Sequence, residues 1–160
     1  MAVNAYLVID GIPGPSTSRK DAIDVLSFSF GASLPAIFGY DSSGKESKAG
    51  RPNISELSIM KVVDKTTPNL FQYLVAATHI AKATLYYDKP VSGKQEDYFK
   101  IEMENVLITS TQSSGSSENP TESLALAFGS VKVCYNPEDG KGGLSGWVEK
   151  TYSLETLATA

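Results

Sequence analysis

From Thr121 to Tyr135 the chain alternates apolar and polar residues with a period of two, and the alternation changes phase once. Leu124, Leu126 and Phe128 are even-numbered, whereas Val131, Val133 and Tyr135 are odd-numbered, with Gly129-Ser130 between the two sets. Successive side chains of a strand point to opposite faces, so a strand of this length keeps one apolar face only if its backbone absorbs an extra residue at the switch. That predicts a β-bulge at Gly129-Ser130 and a bend in the strand. A second long run, Tyr98 to Thr111, sets Phe99, Ile101, Met103 and Leu107 on one face and Lys100, Glu102 and Glu104 on the other, which turns apolar at Val106 and Ile108. Bent long strands are how a small sheet curls into a barrel.

Shorter runs carry the same period. Ile54 to Val63 alternates around Leu57, Ile59 and Val63, and Lys82 to Tyr87 is short and ends in aromatics. In Ile23 to Gly31, Leu26, Phe28 and Phe30 face one way and Val25, Ser27 and Ser29 the other. One segment has helical spacing: Leu70, Tyr73, Leu74 and Ala77 form a single apolar stripe from Pro68 to about Thr78. Thr67 is placed to cap it, and Pro68 falls in the first turn, where its missing N–H costs nothing. The fold expected is mainly β, a closed or nearly closed barrel with one helix (about 68–78) and an extended loop (about 33–52). A chain of 160 residues is read as one domain, 1–160.

Composition excludes several classes of function. The chain holds 14 basic and 18 acidic residues with no basic block, which argues against nucleic acid as a partner. No apolar run approaches the roughly 20 residues of a helical membrane span, and Met1 to Ala5 has the features of no cleaved export signal. Cys134 is the only cysteine and His79 the only histidine, so no thiolate metal cluster and no zinc site is expected within one chain, and no cofactor is called for. His79, at the end of the helix, is better placed to meet free carbonyls there than a substrate. Gly39 to Lys45 matches the first seven positions of a phosphate loop, but Glu46 follows where a hydroxyl belongs. Glu102 and Glu104 share a polar face with Lys100 and read as solvated rather than catalytic. No catalytic residues are assigned.

Taken in order, Tyr6 to Gly14 with its two glycines, the Ile23-Asp24-Val25-Leu26 strand ending at Gly31, the helix start Asp64 to Leu70, Ala83 to Tyr86, Tyr98 to Ser110, Glu122 to Pro137 and Gly146-Trp147 resemble the Hcp family, the secreted tube proteins of bacterial type VI secretion systems. Phe28 and Phe30 stand where the family carries tryptophan, Arg19-Lys20-Asp21 replaces its usual histidine, and the helix exit, Ala76 to His79, lacks its glycine. The resemblance implies a homohexameric ring, rings stacked head to tail, a VgrG-like spike, sheath proteins and small effectors as partners, and passage from the bacterial cytoplasm without a cleaved signal peptide. On this reading Ser27 and Ser29 either line the channel that holds cargo or form an ordinary solvent face. The Ser33 to Pro52 loop, more apolar than an idle loop through Leu34, Ile37, Phe38 and Tyr40, is the candidate contact between rings. Two other readings are a monomeric barrel that binds a small ligand and a hydrolase working through His79.

Overall fold

The computed structural model describes residues 3–37, 48–156 and 158–159. Thirteen strands and one helix follow in the order β1 (Asn4–Ile9), β2 (Ile23–Asp24), β3 (Ser27–Ser29), β4 (Ala32–Ser33), β5 (Ala36–Ile37), β6 (Lys48–Ala49), β7 (Asn53–Ile54), β8 (Leu57–Val62), α1 (Thr67–Val75), β9 (Ile80–Val91), β10 (Lys94–Ser114), β11 (Thr121–Tyr135), β12 (Val148–Ser153) and β13 (Ala158–Thr159) among these residues. The two long strands, β10 and β11, each belong to two half-sheets. Their distal halves run with β8 and β3, in the order β3-β8-β11-β10. Their proximal halves run with β12 on one side and with β9, β1 and β2 on the other.

The bend between the halves lies where the alternation changes phase, but its cause differs from the expected bulge. Val106 pairs with Phe128 and Glu104 with Ser130, so the register is the same on both sides of the switch. Both strands absorb a residue there: Asn105 takes the left-handed conformation at φ 53°, opposite Gly129. The buried set accordingly moves from Ile101 and Met103 to Val106 and Ile108 on β10, leaving Leu107 only partly buried, not on the core face with Met103 as its parity predicts. The register shifts on β10 lie elsewhere, between Asp97 and Phe99 against β9 and between Ile108 and Ser110 against β11.

The run from Ile23 to Gly31 is not one strand. The Val25 N–H bonds to Ala5 of β1 and the Leu26 N–H to Met60 of β8, so the chain crosses from one half-sheet to the other between these residues and draws the barrel together. Phe28 and Phe30 pack on the core as expected, but Leu26 does not share their face and is 59% exposed. The approach to this crossing depends on Gly14, where a Cβ would run into the carbonyl of Ala22. Arg19 holds the same loop down: its guanidinium lies 4.3 Å from the ring centre of Tyr86 and 5.2 Å from that of Tyr6, and pairs with Asp97.

Inside, Leu7, Ile23, Leu57, Leu85, Ile101 and Leu126 are fully buried, and Phe28 stacks edge-on to Tyr87 at 5.3 Å. The helix is shorter than its spacing predicts. Ala77 adopts φ 51°, and the N–H groups of Thr78 and Ala77 bond back to Tyr73 and Leu74, closing the last turn before the stripe reaches Ala77. Leu70, Tyr73 and Leu74 pack inward and Ala77 is exposed. Thr66, not Thr67, is the N-cap, and no side chain caps the helix. The extended loop has structure at its base: Ala32 pairs with Ile54 and Ser33 with Asn53, then Ala36 with Ala49 and Ile37 with Lys48, making a two-step β-ribbon.

Candidate functional site

The surface that the sequence reading singled out is the face of β3-β8-β11-β10 turned away from the core. Ser29 lies opposite Ser58, Ser58 opposite Ala125 and Ala125 opposite Ser110, a row of small side chains across four strands. The next row on that face is Ser27, Met60, Ser123 and Gln112. Both rows are uncharged, and Ser27 and Ser29 are exposed. Between them Phe28, Ile59 and Leu124 point inward, as the period of two requires. Among the described residues β3 pairs only with β8, and β10 beyond Leu107 pairs only with β11, so this half-sheet has two unpaired edges.

Of the loop residues, Leu34 is exposed and lies at the foot of the ribbon arm. Ile37 is in β5. Phe38 and Tyr40 lie outside the described residues, as does the phosphate-loop-like Gly39 to Lys45.

A buried polar cluster ties the helix to this half-sheet, and the sequence reading missed it. Lys61 lies directly opposite Glu122 on the inward face, where the alternation of Leu57 and Ile59 continues; Val63, expected in the core, is only partly buried. Lys61 is 0% exposed and Glu122 1%. The ammonium meets Glu122 Oε2 at 3.0 Å, Asp64 Oδ1 at 3.3 Å and the Val62 carbonyl at 3.1 Å, one acceptor for each proton. Thr67 donates its hydroxyl to Glu122 Oε2 at 2.8 Å instead of capping its own helix, and Asp64 accepts the Thr66 N–H at 2.8 Å. The sequence signal was a lysine in an inward register position.

On the other half-sheet an ion ladder crosses the outer face. Glu102 lies 3.1 Å from Lys132, 3.4 Å from Lys100 and 3.8 Å from Lys82, and Lys132 continues to Glu149 at 3.7 Å. Burial pushes the Glu102 carboxyl up, but the Lys132 hydrogen bond and the nearby ammoniums outweigh it and hold it below the usual glutamate range. Cys134, buried beside this ladder, has its thiol pushed up by burial, which makes it a poor nucleophile. His79 does not turn to the helix carbonyls. Its Nδ1 lies 2.8 Å from Asn105 Oδ1, and the Asn105 amide donates to Glu155. Because Glu155 can only accept there, the Asn105 oxygen faces the histidine and Nδ1–H is the donor.

Among the described residues no group of three or more His, Cys, Asp or Glu side chains is placed to hold a metal ion, and no helix is long and apolar enough to cross a membrane.

Residues 6–135 match the family described as type VI secretion system effector, Hcp. Protein hcp1 of Pseudomonas aeruginosa is 34% identical over 150 residues, 91% of each chain. The crystal structure of Hcp1 from Salmonella typhimurium superposes with a TM-score of 0.77 at 25% identity, covering all of both chains. A structure of a type six secretion system protein gives a TM-score of 0.87 at 24% identity over 99% of this chain and all of its own, a likeness of fold. The chain belongs to the Hcp family of type VI secretion proteins.

Proposed function

We propose that the chain is a structural subunit of the inner tube of a type VI secretion system, working by assembly and not by catalysis. Six copies close into a ring, rings stack, and small effectors ride in the central channel past Ser27 and Ser29. The observation that carries this reading is the uncharged outer face of β3-β8-β11-β10, with its row of small side chains through Ser29, bounded among the described residues by two unpaired strand edges. Unpaired edges on opposite sides of one curved sheet suit a head-to-tail contact that closes under rotation. A wall of hydroxyls and small side chains leaves room for varied cargo and offers it hydrogen bonds. The loop of about residues 33–52, with Leu34, Ile37, Phe38 and Tyr40 in its sequence, makes the contact between rings. The stacked tube meets a VgrG-like spike at its tip and sheath proteins around it, and leaves the bacterial cytoplasm when the sheath contracts.

Sedimentation with negative-stain imaging tests the assembly: open-centred rings are expected, and a monodisperse monomer at micromolar concentration in low and moderate salt refutes it. Ser29→Lys tests the channel. Rings of normal mass that no longer retain small co-purifying proteins support the face assignment, whereas rings that retain them unchanged refute it.

A further inference from the structure

Away from the channel face, β12 presents an open strand edge beside an apolar groove. On its inner side β12 pairs with β11 from Val148 to Ser153. On its outer side, among the described residues, only Tyr152 and Ser153 are paired, with β13, so Val148 to Thr151 have no strand partner there. The groove next to this edge has a volume of about 580 Å³, with Val131, Val133 and Tyr152 on one wall and Phe30, Ala32 and Ile54 on the other. Lys150 stands in the same groove. Lys82, Lys89, Lys100 and Lys132 each pair with a carboxylate, but Lys150 has no ion-pair partner among the described residues.

We infer that this edge and groove take an extended peptide segment of another protein, added as a further strand beyond β12, apolar at alternate positions and carrying a carboxylate to meet Lys150. Main-chain hydrogen bonds to the open edge supply sequence-tolerant attachment, and the groove selects the alternate side chains. A lysine on an edge strand ordinarily discourages pairing. Here it discriminates: two copies meeting through β12 would bring two unpaired ammoniums to one short ladder, whereas an acidic segment neutralises the one present. The β12 edge is not one of the β3 and β10 edges assigned to ring closure, but Phe30, Ala32 and Ile54 of the groove adjoin β3 and the base of the arm, so peptide binding and assembly mass are read side by side.

The test is a titration of the full chain with the dye-labelled pentapeptide acetyl-Val-Thr-Glu-Thr-Val-amide, whose valines and glutamate share the face turned to Lys150 and the groove, read by fluorescence anisotropy, with assembly mass followed in parallel. Saturable binding is expected, weakened about tenfold by Lys150→Glu and restored when the peptide's glutamate becomes lysine. N-methylation of the peptide backbone should abolish it, because the added strand then lacks its donors. Lys150 is exposed, so its reversal leaves the fold intact. No binding at millimolar peptide, or an affinity indifferent to Lys150→Glu, overturns the proposal. So does a Lys150→Glu variant that changes assembly mass while leaving peptide binding untouched, which would make the edge a contact between copies.

Discussion

Replacing Lys61 by methionine keeps the apolar stem but leaves the Glu122 carboxylate buried with one hydrogen bond, from Thr67. Glu122 Oε1 already has no partner, so no second donor shares the load. Breaking one side of a buried ion pair costs about 3–5 kcal/mol, because the remaining charge is desolvated and uncompensated. For a chain of this size each kcal/mol moves the thermal midpoint by about 2–4 °C, so Lys61→Met should lower it by roughly 6–20 °C. The double variant Lys61→Met, Glu122→Leu removes both charges and fills the same space, and should return to within about 2 kcal/mol of the parent or exceed it. The assay is urea unfolding of parent, both single variants and the double, followed by circular dichroism at one fixed protein concentration, since assembly adds a concentration-dependent contribution. A strongly favourable coupling in this cycle is the signature sought. If the singles cost under about 1 kcal/mol, or their costs simply add in the double, the pair is not the buried clamp its geometry describes.

Ala77→Gly should raise the urea midpoint by about 0.5–1 kcal/mol of stability, because Ala77 holds φ 51° where glycine has no Cβ penalty; an unchanged or lowered midpoint would show that the helix exit carries no such strain. Glu102→Gln should change the acid limb of stability. The folded carboxyl sits below its unfolded value, so its contribution is present above the ordinary glutamate range near about pH 4.3 and disappears as pH falls through the folded value. Thermal midpoints of parent and variant should therefore differ most at neutral pH and draw together as pH falls below the ordinary glutamate range. A gap that stays constant with pH would mean the Lys82, Lys100 and Lys132 contacts are screened by solvent.

Much of this architecture could be read before any coordinates. The period of two in β8, β10 and β11, the apolar stripe at Leu70, Tyr73 and Leu74, and the inward Phe28 and Phe30 are local signals, and each is realised. The exposed hydroxyls of Ser27 and Ser29 follow from the same alternation. The errors share a cause. Parity alone puts Leu26 with Phe28 and Phe30, but the ladder partner of the chain changes between Val25 and Leu26. The phase change at Gly129 was visible in β11, but its resolution needed Asn105 of the facing strand to make the same adjustment. The stripe predicts a helix to Thr78 because Ala77 fits it, but the chain turns left-handed at Ala77 without a glycine.

By itself the sequence determined which residues alternate, which segment is helical, and the Hcp-like order of motifs from Tyr6 to Trp147, because these are properties of neighbouring residues along the chain. The tertiary structure alone decided which strands meet, that Ile23 to Ser29 bridges two half-sheets, that Lys61 and Glu122 neutralise each other inside the barrel, and that Ser29, Ser58, Ala125 and Ser110 come into one row. Alternation says which side of a strand a residue occupies. What lies across from it is set by residues dozens of positions away, through the register of the ladder.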